Sequence, residues 1–276
     1  MSALSRIKAI ARAEGLVLGR NRWLLVATLI MVVFAVALSL AGSAPTGALG
    51  VDMLTVSVAS MTTLAVYLVP LLALLISFDA VAGELDRGAL GLILSYPASR
   101  AEILLGKAIA HVAAIAFACV VGFGVAGAIA ATLGGVTPES LLALVRLMAT
   151  SALLGAVFVA LGYLMSALSG SSAGAAGLAA ALWLVLVVLF DLALLAAVVM
   201  DGDGAFTQMV FPWLMTANPA DAFRLWNIAG SETVAIATGM TGAADSLPRW
   251  AAPLSLLIWP VLAFLLARVA FRRVEP

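Results

Sequence analysis

The sequence predicts an all-α polytopic membrane protein, with six transmembrane helices, an amphipathic helix ahead of the first, and both termini cytoplasmic. Three observations carry that expectation. The 276 residues are 64% hydrophobic and 10% charged, with a mean hydropathy of +1.20, far from soluble globular usage. The apolar residues form continuous blocks of about 20, the length that a hydrocarbon core about 30 Å thick requires. A β-barrel would alternate apolar and polar positions instead. Finally, Lys and Arg gather in alternate gaps between the blocks, as the positive-inside rule expects.

In chain order, residues 2–20 interleave Ile7, Ile10, Leu16 and Leu18 with Arg6, Lys8, Arg12, Glu14 and Arg20. This fits a basic amphipathic helix lying on the inner membrane surface. It equally fits an ordinary basic flank to the first span. The apolar run 23–41 precedes Leu40-Ala41-Gly42-Ser43-Ala44, which resembles a signal cleavage site. The run exceeds the about 7–15 residues of a signal core, however, so an uncleaved span is expected. Further spans are read at 56–79, 108–133, 142–168, 174–200 and 251–271. The segment 201–250 holds Asp201, Asp203, Asp221, Arg224, Glu232, Asp245 and Arg249, and is read as an extracytoplasmic insert. Its apolar pieces 206–216 and 219–229 are too short to cross, and fit interfacial or re-entrant helices. The whole chain thus reads as one transmembrane domain.

With both termini inside, Arg6, Lys8, Arg12, Arg20, Arg22, Arg87, Arg100, Lys107, Arg268, Arg272 and Arg273 fall in the cytoplasm. Only Arg146, Arg224 and Arg249 fall outside, an asymmetry of eleven to three. Trp23, Trp213, Trp226 and Trp250 stand near predicted span ends, where interfacial anchors belong.

Residues 83–107, GELDRGALGLILSYPASRAEILLGK, hold three of the fourteen basic residues and three of the fourteen acids. Ser99 with Glu102 has capping-box spacing, and the residue before Pro97 is pushed out of helical dihedrals. Two short helices broken at Tyr96–Pro97 are therefore expected, the second feeding through Gly106–Lys107 into the third span. Such a bracket suits docking of a cytoplasmic partner. By composition alone it suits equally a loop whose charges only set topology.

The pattern Gly83-Glu84, Arg87-Gly88, Leu94, Pro97, Ser99-Arg100 and 103–107 (ILLGK) resembles the cytoplasmic loop of ABC-2-type transporter permeases, of type V exporter architecture. The likeness covers nearly the whole chain, from the amphipathic helix to the insert before the last span. It implies a bacterial inner-membrane permease that forms a homodimer in the lipid bilayer, binds two cytoplasmic ABC ATPase subunits, and meets a periplasmic partner. On that resemblance Glu84, Asp86, Arg87, Pro97 and Arg100 couple to the ATPase. Asn218, Asp221 and Arg224 would contact the periplasmic partner. The shorter motifs 20–23 (RNRW), 78–80 (FDA) and 218–224 (NPADAFR) narrow the likeness to a branch that matures the copper sites of nitrous oxide reductase. Other ABC-2 exporters of small molecules or lipids, a secondary transporter and a membrane scaffold are the rival functions. The secondary transporter would call for paired intramembrane charges and internal repeats.

The chain is expected to bind no cofactor of its own and to be no enzyme, with ATP held by the partner ATPase. Gly106-Lys107 is no phosphate loop, since Ala101 stands where the motif needs Gly and Ala108 where it needs Ser or Thr. Zero net charge offers nothing to nucleic acid. Asp191 lies deep in the fifth span at a cost of about 2.5–3.5 kcal/mol, so it should face water or the bundle interior, as part of a translocation path or as a bridge between helices. His111 and Cys119, about 12 Å and 80° apart on an ideal helix, cannot share one metal. Met53, Met200, Met209, Met215 and Met240 scatter near the outer side and read as packing rather than as soft metal ligands. Gly122, Gly124 and Gly127, and Gly170, Gly174 and Gly177, suit close helix approach in the bundle or between copies.

Overall fold

The computed structural model describes residues 2–20, 22–42, 52–202, 204–229 and 248–275. Expectations for Asn21, Ser43, Ala44, Asp203, Glu232, Met240 and Asp245, and for the side chain of Trp23, lie outside the described residues. The described residues are helical throughout their regular structure, and six helices are long and apolar enough to cross a membrane. These are α2 (Arg22–Gly42), α3 (Met53–Ser77), α6 (Arg100–Gly134), α7 (Pro138–Leu168), α8 (Ser172–Asp201) and α11 (Ala251–Phe271). Because they alternate in direction, both termini lie at one end of the bundle, here the near end.

Local chemistry sets the helix boundaries. At the far end Asp52 caps α3 by accepting from the Thr55 amide at 2.9 Å. It also accepts from the Thr137 hydroxyl at 3.0 Å, which ties the start of α3 to that of α7. Thr137 and Ser140 form a capping box with Pro138 in the first turn of α7. At the near end Ser99 and Glu102 form the expected capping box of α6.

The expected break at Tyr96–Pro97 is present, between a helix that ends at Leu94 and one that begins at Arg100, and a second break lies upstream of it. Between α3 and α6 lie two single-turn helices, α4 (Ala82–Asp86) and α5 (Leu90–Leu94). They part at Gly88, whose φ of +65° is a left-handed conformation that glycine adopts without a Cβ clash. As expected, the helix beyond Pro97 feeds through Gly106–Lys107 into the third span, and it does so without a break, as the start of α6. At 35 residues α6 is about 52 Å long, well beyond the about 30 Å of a hydrocarbon core. Its charged first turns are the surplus.

The N-terminal helix α1 (Ala3–Arg20) does not stand apart from the bundle. It runs parallel to the first turns of α6, with Arg6 against Glu102, Ile7 and Ile10 against Gly106, and Leu18 against Ala110 and Ala114. A Cβ at Gly106 would lie 2.7 Å from Ile10 and 3.1 Å from the Ile7 carbonyl oxygen, so the two helices need glycine there to meet.

Helices α3 and α7 form the centre and α8 is the least buried span. Tyr163, Phe158 and Leu154 of α7, with Met61 and Ala65 of α3, are fully enclosed. Of the close-packing glycines, Gly122 meets Met31 and Gly127 meets Leu144. A Cβ at Gly170 or Gly177 would have nothing within 4 Å, so no close approach among the described residues explains these two glycines.

After α8 the chain turns back into the bundle. A π-helical turn (Phe206–Val210) and α9 (Phe211–Ala217) descend, the chain reverses at Asn218, and α10 (Pro219–Ala229) returns. The reversal is deep. The Asn218 amide donates to Leu186 O at 2.6 Å, midway along α8, and the Trp259 indole donates to Ala217 O at 2.8 Å, midway along α11. Residues 206–229 are thus a re-entrant hairpin packed on α3, α7 and α11. Irregular backbone at such depth is tolerated only where protein covers it.

Candidate coupling site and buried polar clusters

The bracket between α3 and α6 is anchored by polar contacts at both of its sides. The Ser166 hydroxyl of α7 accepts from the amides of Val81 and Ala82 at 3.0 and 2.9 Å, satisfying the exposed amides that open α4. Asp86 accepts from the Ser172 amide at 2.6 Å, so it caps α8 from outside that helix. Asp79 accepts from the Ser172 hydroxyl at 2.6 Å and pairs with Arg87 at 3.1 Å.

Glu84 points inward. It is buried and pairs with Lys107 at 2.5 Å, while Lys107 also meets Glu14 of α1 at 3.2 Å. Glu14 in turn approaches His111 Nε2 at 3.6 Å, and His111 Nδ1 shares a hydrogen bond with the Tyr163 hydroxyl. One buried polar chain therefore joins α1, α4, α6 and α7. Sequence reading missed it, although Lys107 and His111 stand four apart on one helix face.

Arg100 is also engaged within the chain. Its Nη1 donates to Phe271 O and, at 2.7 Å, to Val274 O, and its guanidinium lies 5.3 Å from the Phe271 ring centroid. It thereby closes the carbonyl end of α11, where a cation is favoured. The bracket's exposed tip is apolar instead, with Leu92 66% and Tyr96 63% exposed and Pro97 beside them. Asp86 and Arg87 flank that tip and are exposed as well. Of the five residues predicted to couple, Asp86, Arg87 and Pro97 are presented outward, while Glu84 and Arg100 bind the bracket to its own bundle.

The far-end prediction meets a similar outcome. Asn218, Asp221 and Arg224 all turn toward the chain's own helices. Asn218 caps α10 by accepting from the Ala220 amide at 2.9 Å, while its amide reaches the π-helical stretch Leu184–Leu189 of α8. A π turn shifts the backbone hydrogen-bond register, and the side chain supplies a donor there. Asp221 pairs with Arg224 at 3.1 Å, and Arg224 pairs with Asp191 at 2.9 Å. Asp191 is thus not a lone intramembrane carboxylate, because the hairpin brings its cation. Burial first, and the Asp191 carboxylate second, push the Asp221 carboxyl up to about 8 despite Arg224. Beside this cluster Asn227 donates to the Thr150 hydroxyl at 2.9 Å.

Metal-capable residues stay dispersed. Among the described residues no group of three or more His, Cys, Asp or Glu side chains could hold a metal ion. Cys119 is buried in the main core. Met53 packs on Gly134, and Met200 and Met209 are exposed far apart from the near-end His111.

Six apolar spans, a helix docked beside the third and a bracket of two single-turn helices ahead of it define a multi-pass helical membrane protein. The chain belongs to the ABC-2 family transporter proteins, whose profile matches residues 8–275. It is 42% identical to the Probable ABC transporter permease protein NosY of Stutzerimonas stutzeri over 277 residues, 98% of this chain and 99% of that one. It is also 42% identical to the NosY of the same description from Pseudomonas aeruginosa over 265 residues, 95% and 94% of the two chains. The protein is a multi-pass, non-catalytic permease subunit of an ABC transporter in a bacterial inner membrane, and ATP hydrolysis belongs to a separate ATPase subunit.

Proposed function

We propose that this chain is the permease of a NosY-type transporter that serves maturation of the copper sites of nitrous oxide reductase. Two copies form the membrane unit, the near end faces the cytoplasm and two ATPase subunits, and the far end meets a periplasmic partner. The cytoplasmic part comprises α1 and the 83–107 bracket, and the 201–250 insert enters from the extracytoplasmic end, with its 206–229 part folded back into the bundle. The full-length likeness to two NosY permeases is the observation that carries this reading.

Coupling then works through an apolar tip on an anchored base. Leu92, Tyr96 and Pro97 enter a groove of the ATPase, with Asp86 and Arg87 pairing at its rim. Aromatic and apolar anchors surrounded by charges are the usual composition of such interface centres. Glu84 and Arg100 act one layer deeper, passing the displacement of the tip to α6, α1 and α11. The least buried span, α8, with Gly170 and Gly177 open, supports its use against the second copy.

The test joins Leu92→Asp with Tyr96→Asp, both on exposed positions where folding stability should change by less than about 0.5 kcal/mol. The double variant is expected to insert and fold but to lose copurification with the ATPase. Retained binding with unchanged ATP turnover sinks the coupling assignment. For the cargo system, deletion of this chain should leave nitrous oxide reductase without its copper sites, and normal maturation in its absence would sink that part alone.

A further inference from the structure

The re-entrant hairpin places two carboxylates on one guanidinium inside the bundle, one anion more than Arg224 can balance. Asp221 is 1% exposed. Its Oδ1 accepts from Arg224 at 3.1 Å. Its Oδ2 is buried and has no hydrogen-bond partner among the described residues. A bare carboxylate oxygen in an apolar interior carries a heavy desolvation cost. Asp191, which holds the other arm of Arg224, lies within hydrogen-bond reach of Asp221.

Among the described residues the charged groups around this pair are few. On α10 they are Asp221 and Arg224 themselves, on α8 Asp191, and on α3 Tyr67, which faces Arg224. From α7 come Thr150, bonded to Asn227, and further along Arg146, whose electrostatic partner is Glu139. α11 brings Trp259, bonded to Ala217 O, and α9 contributes no titratable side chain. Asp201, at the far end of α8, is occupied by the Thr207 amide at 2.8 Å.

We infer that Asp221 is a proton-binding site, its Oδ2 taking a proton from the medium and donating it to the Asp191 carboxyl. The proton turns a repulsion between two acids into a hydrogen bond, as in other carboxyl pairs that share one proton. It also leaves Arg224 balanced by a single negative charge. Bound, it locks α10 to α8. Released, it sets two anions against each other at the seam between hairpin and span, so the hairpin's hold is pH-dependent. The direction in which burial moves the Asp221 carboxyl agrees with this. The inference concerns this chain alone and does not depend on the ATPase, the second copy or copper.

Infrared difference spectroscopy of the full chain in lipid nanodiscs tests it directly. A protonated-carboxyl stretch is expected at about pH 7, titrating away as pH passes about 8 and shifting in deuterated water. Asp221→Asn, which mimics the neutral acid, should remove that band. The same variant should lose the fall in thermal midpoint that is expected of the wild type as pH rises toward about 8. A wild-type spectrum with no such band overturns the proposal whatever the variants do, as does a band that Asp221→Asn leaves intact. Asp221→Glu keeps the acid and should keep a band with a moved midpoint, and an unmoved one also overturns the assignment.

Discussion

At the near end Lys107 lies between Glu84 and Glu14, at 2.5 and 3.2 Å, and at the far end Arg224 lies between Asp191 and Asp221, at 2.9 and 3.1 Å. Both are one cation between two acids, largely withdrawn from water. They differ in which elements they join. The near acids come from α1 and α4, so Lys107 binds two separate pieces to α6, and His111 extends the contact to Tyr163 of α7. The far cation and one acid share a single helix three residues apart, and only Asp191 comes from elsewhere. The near cluster is a joint among four elements, and the far cluster is a clip closing one hairpin on one span. A joint can transmit displacement of the bracket. A clip holds or releases.

Removing each cation is the sharpest way to break this comparison. Lys107→Met leaves buried Glu84 without its cation and Glu14 with only the His111 ring at 3.6 Å, and should cost about 3–5 kcal/mol. It should also loosen α1, read as faster proteolysis of residues 3–20 in the purified protein. Exchanging the charges, with Glu84→Lys and Lys107→Glu together, should recover only the part of the loss that belongs to the 84–107 pair, because a carboxylate at position 107 then faces Glu14. If the single variant is as stable as wild type, the near cluster joins nothing.

Arg224→Leu should cost less at acid pH, about 2 kcal/mol, because protonation can silence the acid left behind. The sign follows from the raised Asp221 carboxyl. Folded protein holds a proton that the unfolded chain, at its ordinary carboxylate value, has already released. Stability therefore falls as pH rises from about 4 toward about 8. Each variant leaves a buried acid without its cation, Glu84 at the near end and Asp221 at the far end, so thermal unfolding of both should be relieved by acid. The two part at α1: proteolysis of residues 3–20 should quicken in Lys107→Met alone, and an equal rise in Arg224→Leu would erase the distinction between joint and clip.

The smallest effect is expected at the hairpin's turn. Asn218→Ala removes the cap of α10 and the donor to Leu186 O, at about 1–2 kcal/mol. Unfolding in detergent should register it, with the near end unaffected by the proteolysis assay. A loss of α1 docking in this variant would mean that the two ends are coupled more tightly than their separate contacts imply.

Much of the bundle was legible because its signals are local. Span positions follow from apolar run length, and their observed limits lie within a few residues of the expected ones except at α6. There the apolar window begins at 108, but the Ser99–Glu102 capping box starts the helix at Arg100, and a polar helical extension looks like loop to a hydropathy reading. The second break, at Gly88, was unread because Pro97 supplied the louder signal. Asp221 and Arg224 stand at helical spacing and were readable as a pair. Their third member, Asp191, is 33 residues from Arg224, and no periodicity connects them.

By itself, then, the sequence determined the membrane class, the six spans, the capped starts of α6 and α7, and the family. These depend on apolar length, on residue-to-residue spacing within a few turns, and on motifs that survive without coordinates. Only the tertiary structure decided that Glu84 and Arg100 face inward, that the 206–229 hairpin dips to mid-bundle, and that each buried cation serves two acids. The cost of a buried charge tells a reader that a partner must exist. Which partner it is depends on which helices pack, and that is settled by contacts between residues as far as 174 positions apart.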